Sequence, residues 1–140
     1  FSFSSTSNTA LKNIESVASG GEISRIMLCL RYMSSKKSKL SSLVFDEIDT
    51  GVSGEIAHKL AQFLRRITSD IQVFSITHLP QIASKGDKHY VVTKKIVDNK
   101  TIIDVNVLDP EQRINEIAKL LSGSKVTDVS ISNAIELLNQ

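Results

Sequence analysis

Three short segments of this 140-residue sequence carry residue types whose spacing could do chemistry. In Leu43-Val44-Phe45-Asp46-Glu47 an apolar run delivers two adjacent carboxylates at its end. If the run is a strand of an open α/β sheet, the acids emerge at the C-terminal edge, where ligands of such sheets bind. One carboxylate can hold Mg2+ through its water shell while its neighbour orients or deprotonates an attacking water for phosphoryl transfer. Asp49, just beyond, adds a third acid. The plain alternative is a strand that ends in solvent on polar residues. In Ile76-Thr77-His78 a second apolar run ends in a polar pair whose imidazole could hydrogen-bond a terminal phosphate. A lone histidine at a strand end is otherwise structural or merely exposed. Ser19-Gly20-Gly21-Glu22 opens a helical pattern, where free backbone N–H groups, the helix dipole and two residues without side chains can close on a phosphate. Taken alone, it is also how an ordinary capped helix begins.

The elements that must position these segments follow from apolar periodicity, which alternates between helical and strand types and so predicts an α/β fold. Phe1 to Ser5 alternates as a strand, and Ser7 to Ser16 reads as a loop or lead-in segment. Ser19 is placed to cap a helix with Glu22 at its third position, and Ile23, Ile26, Met27 and Leu30 follow at the spacing of a buried face. A Ser- and Lys-rich loop from Ser34 to Ser42 is expected to end that helix. Leu43 to Phe45, wholly apolar, reads as a central parallel strand covered on both faces. Ser53 can cap a second helix whose buried face is Ile56, Leu60, Phe63, Leu64 and Ile67. A strand is expected over Ile71 to Ile76, then a short helix from Pro80 to about Lys85. Tyr90 to Val97 and Thr101 to Leu108 read as a hairpin around Asp98 and Asn99. Pro110 opens a helix with Ile114, Ile117, Leu120 and Leu121 inside and Gly123 at its end, and Ile131, Ala134, Ile135 and Leu138 mark a last helix.

Bulk properties limit the chemistry. With 41% hydrophobic residues the chain can bury one core, so residues 1–140 read as a single domain, and nothing approaches the ~20 apolar residues of a membrane span. A net charge of +2 is too small to mark a nucleic-acid surface by itself. Lys36, Lys37 and Lys39 form a local basic cluster, either a solvated patch or a contact to DNA phosphates. A single cysteine, Cys29, excludes an internal disulfide, and without a charged-then-apolar leader the expected compartment is the cytoplasm. His58 and His89 lack a partnering ligand motif and read as core or surface. Because the chain opens at Phe1 inside a strand-like run, it reads as a piece of a longer protein.

A glycine-led helix start, then an apolar strand with Asp-Glu, then a strand with His, in that order, resembles the second half of an ABC-type nucleotide-binding head. Val17-Ala18-Ser19-Gly20-Gly21-Glu22-Ile23-Ser24-Arg25 looks like the signature segment of the RecN family. Phe45-Asp46-Glu47-Ile48-Asp49-Thr50-Gly51-Val52-Ser53-Gly54 looks like its Walker B and D-loop, and Thr77-His78-Leu79-Pro80-Gln81-Ile82-Ala83 like its His switch. The resemblance runs from Phe1 to about Leu121. ABC transporters differ from it, with Pro after the Walker B Glu and an Ala-Leu-Asp D-loop.

The resemblance implies the C-terminal portion of a P-loop NTPase head: a mostly parallel sheet flanked by helices, with a β-hairpin and C-terminal helices. It implies ATP and Mg2+ as cofactors, Asp46 on the Mg2+ water shell, Glu47 as general base and His78 as γ-phosphate sensor. Asp49 would reach across a dimer interface, while Ser19, Gly20 and Gly21, with Glu22, would meet the γ-phosphate of a nucleotide held mainly by the other subunit. The implied partners are the N-terminal half of the same head, a second head in an ATP-dependent dimer, and DNA. The setting would be double-strand break repair and recombination in the bacterial cytoplasm, in association with the nucleoid. No G-x-x-x-x-G-K-[ST] occurs in the chain, so it is expected to bind ATP poorly and not to hydrolyse it alone. Two other readings stay open: a metal-dependent phosphoesterase or nuclease using Asp46, Glu47 and Asp49, and a non-catalytic dimerisation or docking module whose sheet edge is covered by a partner.

Overall fold

A computed structural model of the chain describes residues 2–4, 10, 12–13, 20–38, 40–123 and 125–140. The fold is α/β and divides into two compact units, Phe1–Thr77 and His78–Gln140. Three two-stranded ladders occur among the described residues, and one of them is parallel.

In the first unit, β1 (Ser2–Phe3) pairs antiparallel with β2 (Lys12–Asn13), so part of the expected lead-in loop is strand. Helix α1 spans Gly20–Ser38; its expected cap, Ser19, lies outside the described residues. The helix continues through Ser34 to Ser38, where a loop was expected. Polar contacts hold this last stretch: the Ser35 hydroxyl donates to the Tyr32 carbonyl at 2.7 Å. Lys36 Nζ lies 2.9 Å from Asp70 Oδ2, which also accepts from the Tyr32 hydroxyl at 2.8 Å. Lys36 and Lys37 in the last turn also suit the negative end of the helix dipole. Lys36 first, and Tyr32 second, hold the Asp70 carboxyl below its usual range. Gly21, Leu28 and Ser35 form the buried line of α1, whereas Ile23, Met27 and Leu30, expected inside, are exposed.

Strands β3 (Ser42–Asp46) and β4 (Gln72–Ile76) run parallel with Val44 opposite Phe74 and Asp46 opposite Ile76. Leu43 and Phe45 are buried, but Val44 is 57% exposed. Register partners share a face, so Val44, Phe74 and Ile76 make one exposed apolar surface, and among the described residues β3 is buried on its Leu43 and Phe45 side only. Helix α2 (Gly54–Ile67) buries Ala57, Leu60, Ala61, Leu64 and Ile67. Its buried stripe is rotated from the expected one: Ile56 is exposed and Phe63 half-buried, set edge-on to the Tyr32 ring at 5.9 Å. The two alanines occupy the centre of the stripe. Ser53 stands at the N-cap, but its side chain makes no capping bond.

In the second unit, Pro80 takes the first position of α3 (Pro80–Ala83), where its missing N–H costs nothing. Strands β5 (Tyr90–Val97) and β6 (Lys100–Val107) form the hairpin, with positive φ at Asp98 (50°) and Asn99 (58°), as a two-residue type I′ turn requires. Helix α4 (Pro110–Ser122) starts in a capping box: Gln112 N–H donates to Asp109 Oδ1 at 2.8 Å and Asp109 N–H to Gln112 Oε1 at 3.1 Å. Helix α5 (Asp128–Asn139) is capped in the same way by Thr127 with Ser130. Ile117, Ala118 and Ala134 are fully buried between these two helices, with Ile114, Leu120, Ile131 and Leu138 packed against them. Leu121 and Ile135, expected inside, lie 39% and 41% exposed. Among the described residues no helix is long and apolar enough to cross a membrane.

Candidate functional site

Parallel pairing sets the geometry of the acid segment. Because Asp46 and Ile76 are register partners, β3 and β4 end together, and Asp46-Glu47 and Thr77 leave the same sheet edge. Asp46 and Glu47 are exposed. Glu47 adopts φ +50°, a left-handed conformation that is uncommon for a residue with a Cβ. A tight turn follows: Thr50 N–H and the Thr50 hydroxyl both donate to the Glu47 carbonyl, at 3.2 and 3.0 Å, and Val52 N–H donates to the Asp49 carbonyl at 3.0 Å. Gly51 at φ +69° and Gly54 at φ +54° let the chain reverse into α2 without the strain a side chain would bring.

Asp49 differs from the two exposed acids in its burial. Asp49 is 1% exposed, and its side chain accepts a hydrogen bond from the Thr77 hydroxyl. Among the described residues no three His, Cys, Asp or Glu side chains gather where a metal ion could be held. An exposed carboxylate at a strand end, as Asp46 is, suits a hydrated cation that keeps most of its own waters.

Gly20 and Gly21 open α1, and the two glycines differ. Gly20 is exposed with open space where a Cβ would stand, whereas Gly21 is buried and a Cβ there would run into the Thr50 carbonyl. The start of α1 and the acid loop are therefore in direct contact. Glu22 is half-buried in the first turn, suited to the positive end of the dipole. Ser19 and the residues before it in the signature segment lie outside the described residues.

His78 is exposed and opens the second unit, ahead of the Pro80 turn. In that unit Arg113 Nη2 donates to the carbonyls of Ser84, at 2.8 Å, and of Gly86, fastening the turn after α3 to α4. His89 Nδ1 is buried with no hydrogen-bond partner among the described residues, and burial first, then the Arg113 charge, pushes the imidazole below its usual 6.5. Cys29 is exposed and free, and Lys36 is engaged with Asp70. Sequence reasoning missed the Thr77–Asp49 bond; its only trace was a hydroxyl at the last position before His78, and nothing local said which acid it would meet.

No family model matches the chain. Curated relatives do. The chain is 39% identical over 140 residues to the DNA repair protein RecN of Bacillus subtilis, and 41% identical over 138 residues to RecN of Vibrio cholerae. These alignments cover 100% and 99% of the chain but 24% and 25% of the relatives, so the chain spans about a quarter of their length. Among solved structures it resembles the Smc head domain with coiled coil and joint from Pyrococcus yayanosii, at TM-score 0.65 and 22% identity, over 83% of this chain and 21% of that one. It also resembles a structure from work on ATP-driven dimerisation and DNA-stimulated activation of SMC ATPases, at TM-score 0.61 and 20% identity, over 84% of this chain and 70% of that one. With a parallel strand ending in acid and a glycine-led helix start against the following loop, the chain resembles by sequence about a quarter of the DNA repair protein RecN and by fold the head domains of SMC proteins.

Proposed function

We propose that the chain supplies the signature, Walker B and His-switch residues of a composite ATPase that works in DNA double-strand break repair. The observation that carries this reading is the shared C-terminal edge of β3 and β4, which presents Asp46 and Glu47 where open α/β sheets bind ligands. Asp46 would hold a hydrated Mg2+ through its water shell. That ion, when bound, neutralises phosphate charge. Glu47 orients the attacking water and takes its proton, and His78 hydrogen-bonds the γ-phosphate. Gly20 and Gly21, with Glu22 in the same first turn, offer helix N-terminal N–H groups to the γ-phosphate of a nucleotide seated on a second head, and the resemblance assigns Ser19 to the same contact.

The loop that cradles the α- and β-phosphates comes from the N-terminal half of the head, because the chain has no Walker A motif. The exposed Val44, Phe74 and Ile76 surface is the kind of face such a half covers. Two heads closing on ATP would be the working form, in the bacterial cytoplasm with DNA as the further partner.

The test is ATP turnover by this chain mixed with a separately produced N-terminal half, wild type against Glu47→Gln. The expected result is turnover only in the mixture, lowered about 100-fold or more by the substitution, the usual weight of a positioned general base. Turnover by the chain alone would refute the assignment of the missing phosphate loop. No turnover in a verified folded complex would favour a second reading, a non-catalytic docking module, which the same exposed apolar face supports.

A further inference from the structure

The loop after β3 is held by contacts that the reaction itself does not use. Ile48, Asp49 and Val52 are buried at 5%, 1% and 7% exposure, while Glu47 beside them is exposed. A buried carboxylate keeps its place only if hydrogen-bonded, and Thr77, 28 residues away in sequence at the end of β4, donates to Asp49. Glu47 sits in a backbone conformation that persists only where its surroundings over-determine it. Two bonds from Thr50 close on the Glu47 carbonyl, and the Thr50 carbonyl in turn abuts Gly21.

We propose that Asp49 is a positioning residue for Glu47: bonded by the Thr77 hydroxyl, its carboxylate anchors the acid loop to the end of β4 and holds Glu47 in its left-handed conformation. The proposal rests on the reading of Glu47 as the water-activating acid. Because Gly21 bears on the same loop, a loop freed from β4 would also lose its fit to the start of α1, so one anchor serves both phosphate-facing segments.

The first measurement is amide hydrogen exchange at Thr50 and Val52 in the chain without nucleotide. Thr77→Val keeps the side-chain shape and removes the donor, so exchange at both amides should quicken about ten-fold or more, whereas Thr77→Ser should exchange as wild type. Wild-type exchange in Thr77→Val would overturn the proposal. If Thr77→Val fails to fold, Asp49→Asn decides in its place: a neutral acceptor weakens the bond, so exchange must quicken, and wild-type rates overturn the proposal equally.

The second measurement uses the head reconstituted with its N-terminal half. Thr77→Val should lower kcat about ten-fold with KM for ATP within about two-fold, and serine should restore kcat. Wild-type kcat in Thr77→Val would overturn the positioning role. Absence of turnover with the wild-type chain would instead refute the ATPase reading, and the exchange result would still decide whether Asp49 anchors the loop.

Discussion

Gly20 and Gly21 are adjacent and chemically identical, yet alanine should act on them with opposite sign. At Gly20 a new Cβ meets nothing within 4 Å, so the substitution contributes only helix propensity, up to about 1 kcal/mol of stabilisation. At Gly21 the Cβ runs into the Thr50 carbonyl and comes within 3.1 Å of Arg25 Nη1. That carbonyl belongs to a turn held by the bonds from Thr50 to Glu47, so it yields with difficulty, and overpacking of this kind costs about 1–3 kcal/mol. After the propensity gain the net effect is up to about 2 kcal/mol of destabilisation, leaving the two variants about 1–3 kcal/mol apart. Urea unfolding of the chain, followed on amide resonances of the first unit, reads this directly. With a slope near 1–3 kcal/mol per molar urea the midpoints should differ by about 1 M, Gly21→Ala the lower. A Gly21→Ala midpoint equal to or above that of Gly20→Ala would refute the packing of α1 against the acid loop.

Other outcomes follow from the second unit. Ile117 is fully buried between α4 and α5, so Ile117→Ala should cost about 2–5 kcal/mol by denaturant unfolding, while Ile135→Ala, at a 41% exposed site, should cost under about 1 kcal/mol. His89 is pushed below its ordinary 6.5 by burial and by Arg113, against a smaller opposing pull from Glu116. The unfolded chain therefore binds the proton more readily than the folded one. The stability that the neutral ring contributes is fully present above pH 6.5 and is lost as pH falls through the lower folded value. His89→Gln should flatten stability against pH in that acidic window, as measured by unfolding midpoints at a series of pH values.

Much of the fold was readable because local chemistry and tertiary demand agree. Asp98-Asn99 accept the positive φ of a tight hairpin, Pro110 opens a helix at a position where its missing N–H costs nothing, and Leu43-Val44-Phe45 is strand-like with acids at its end. These signals depend on a few neighbouring residues. The stretch Ser34 to Ser38 misled because Ser and Lys look like a loop until Asp70, from a distant turn, gives Lys36 and Tyr32 a partner. Ile56 misled because size suggested burial, whereas the centre of the α2 stripe belongs to Ala57 and Ala61.

The sequence by itself determined that this is an α/β chain with acid at a strand end, a glycine-led helix start and a strand-end His, since each feature rests on residue type and short spacing. Only the tertiary structure decided that Asp49 is buried and bonded by Thr77, that Gly21 touches Thr50 while Gly20 touches nothing, and that among the described residues one face of β3 is bare. Those facts depend on which distant residues the parallel pairing of β3 and β4 brings together. Periodicity along a chain reports only that a side chain is apolar or polar, not what it will meet.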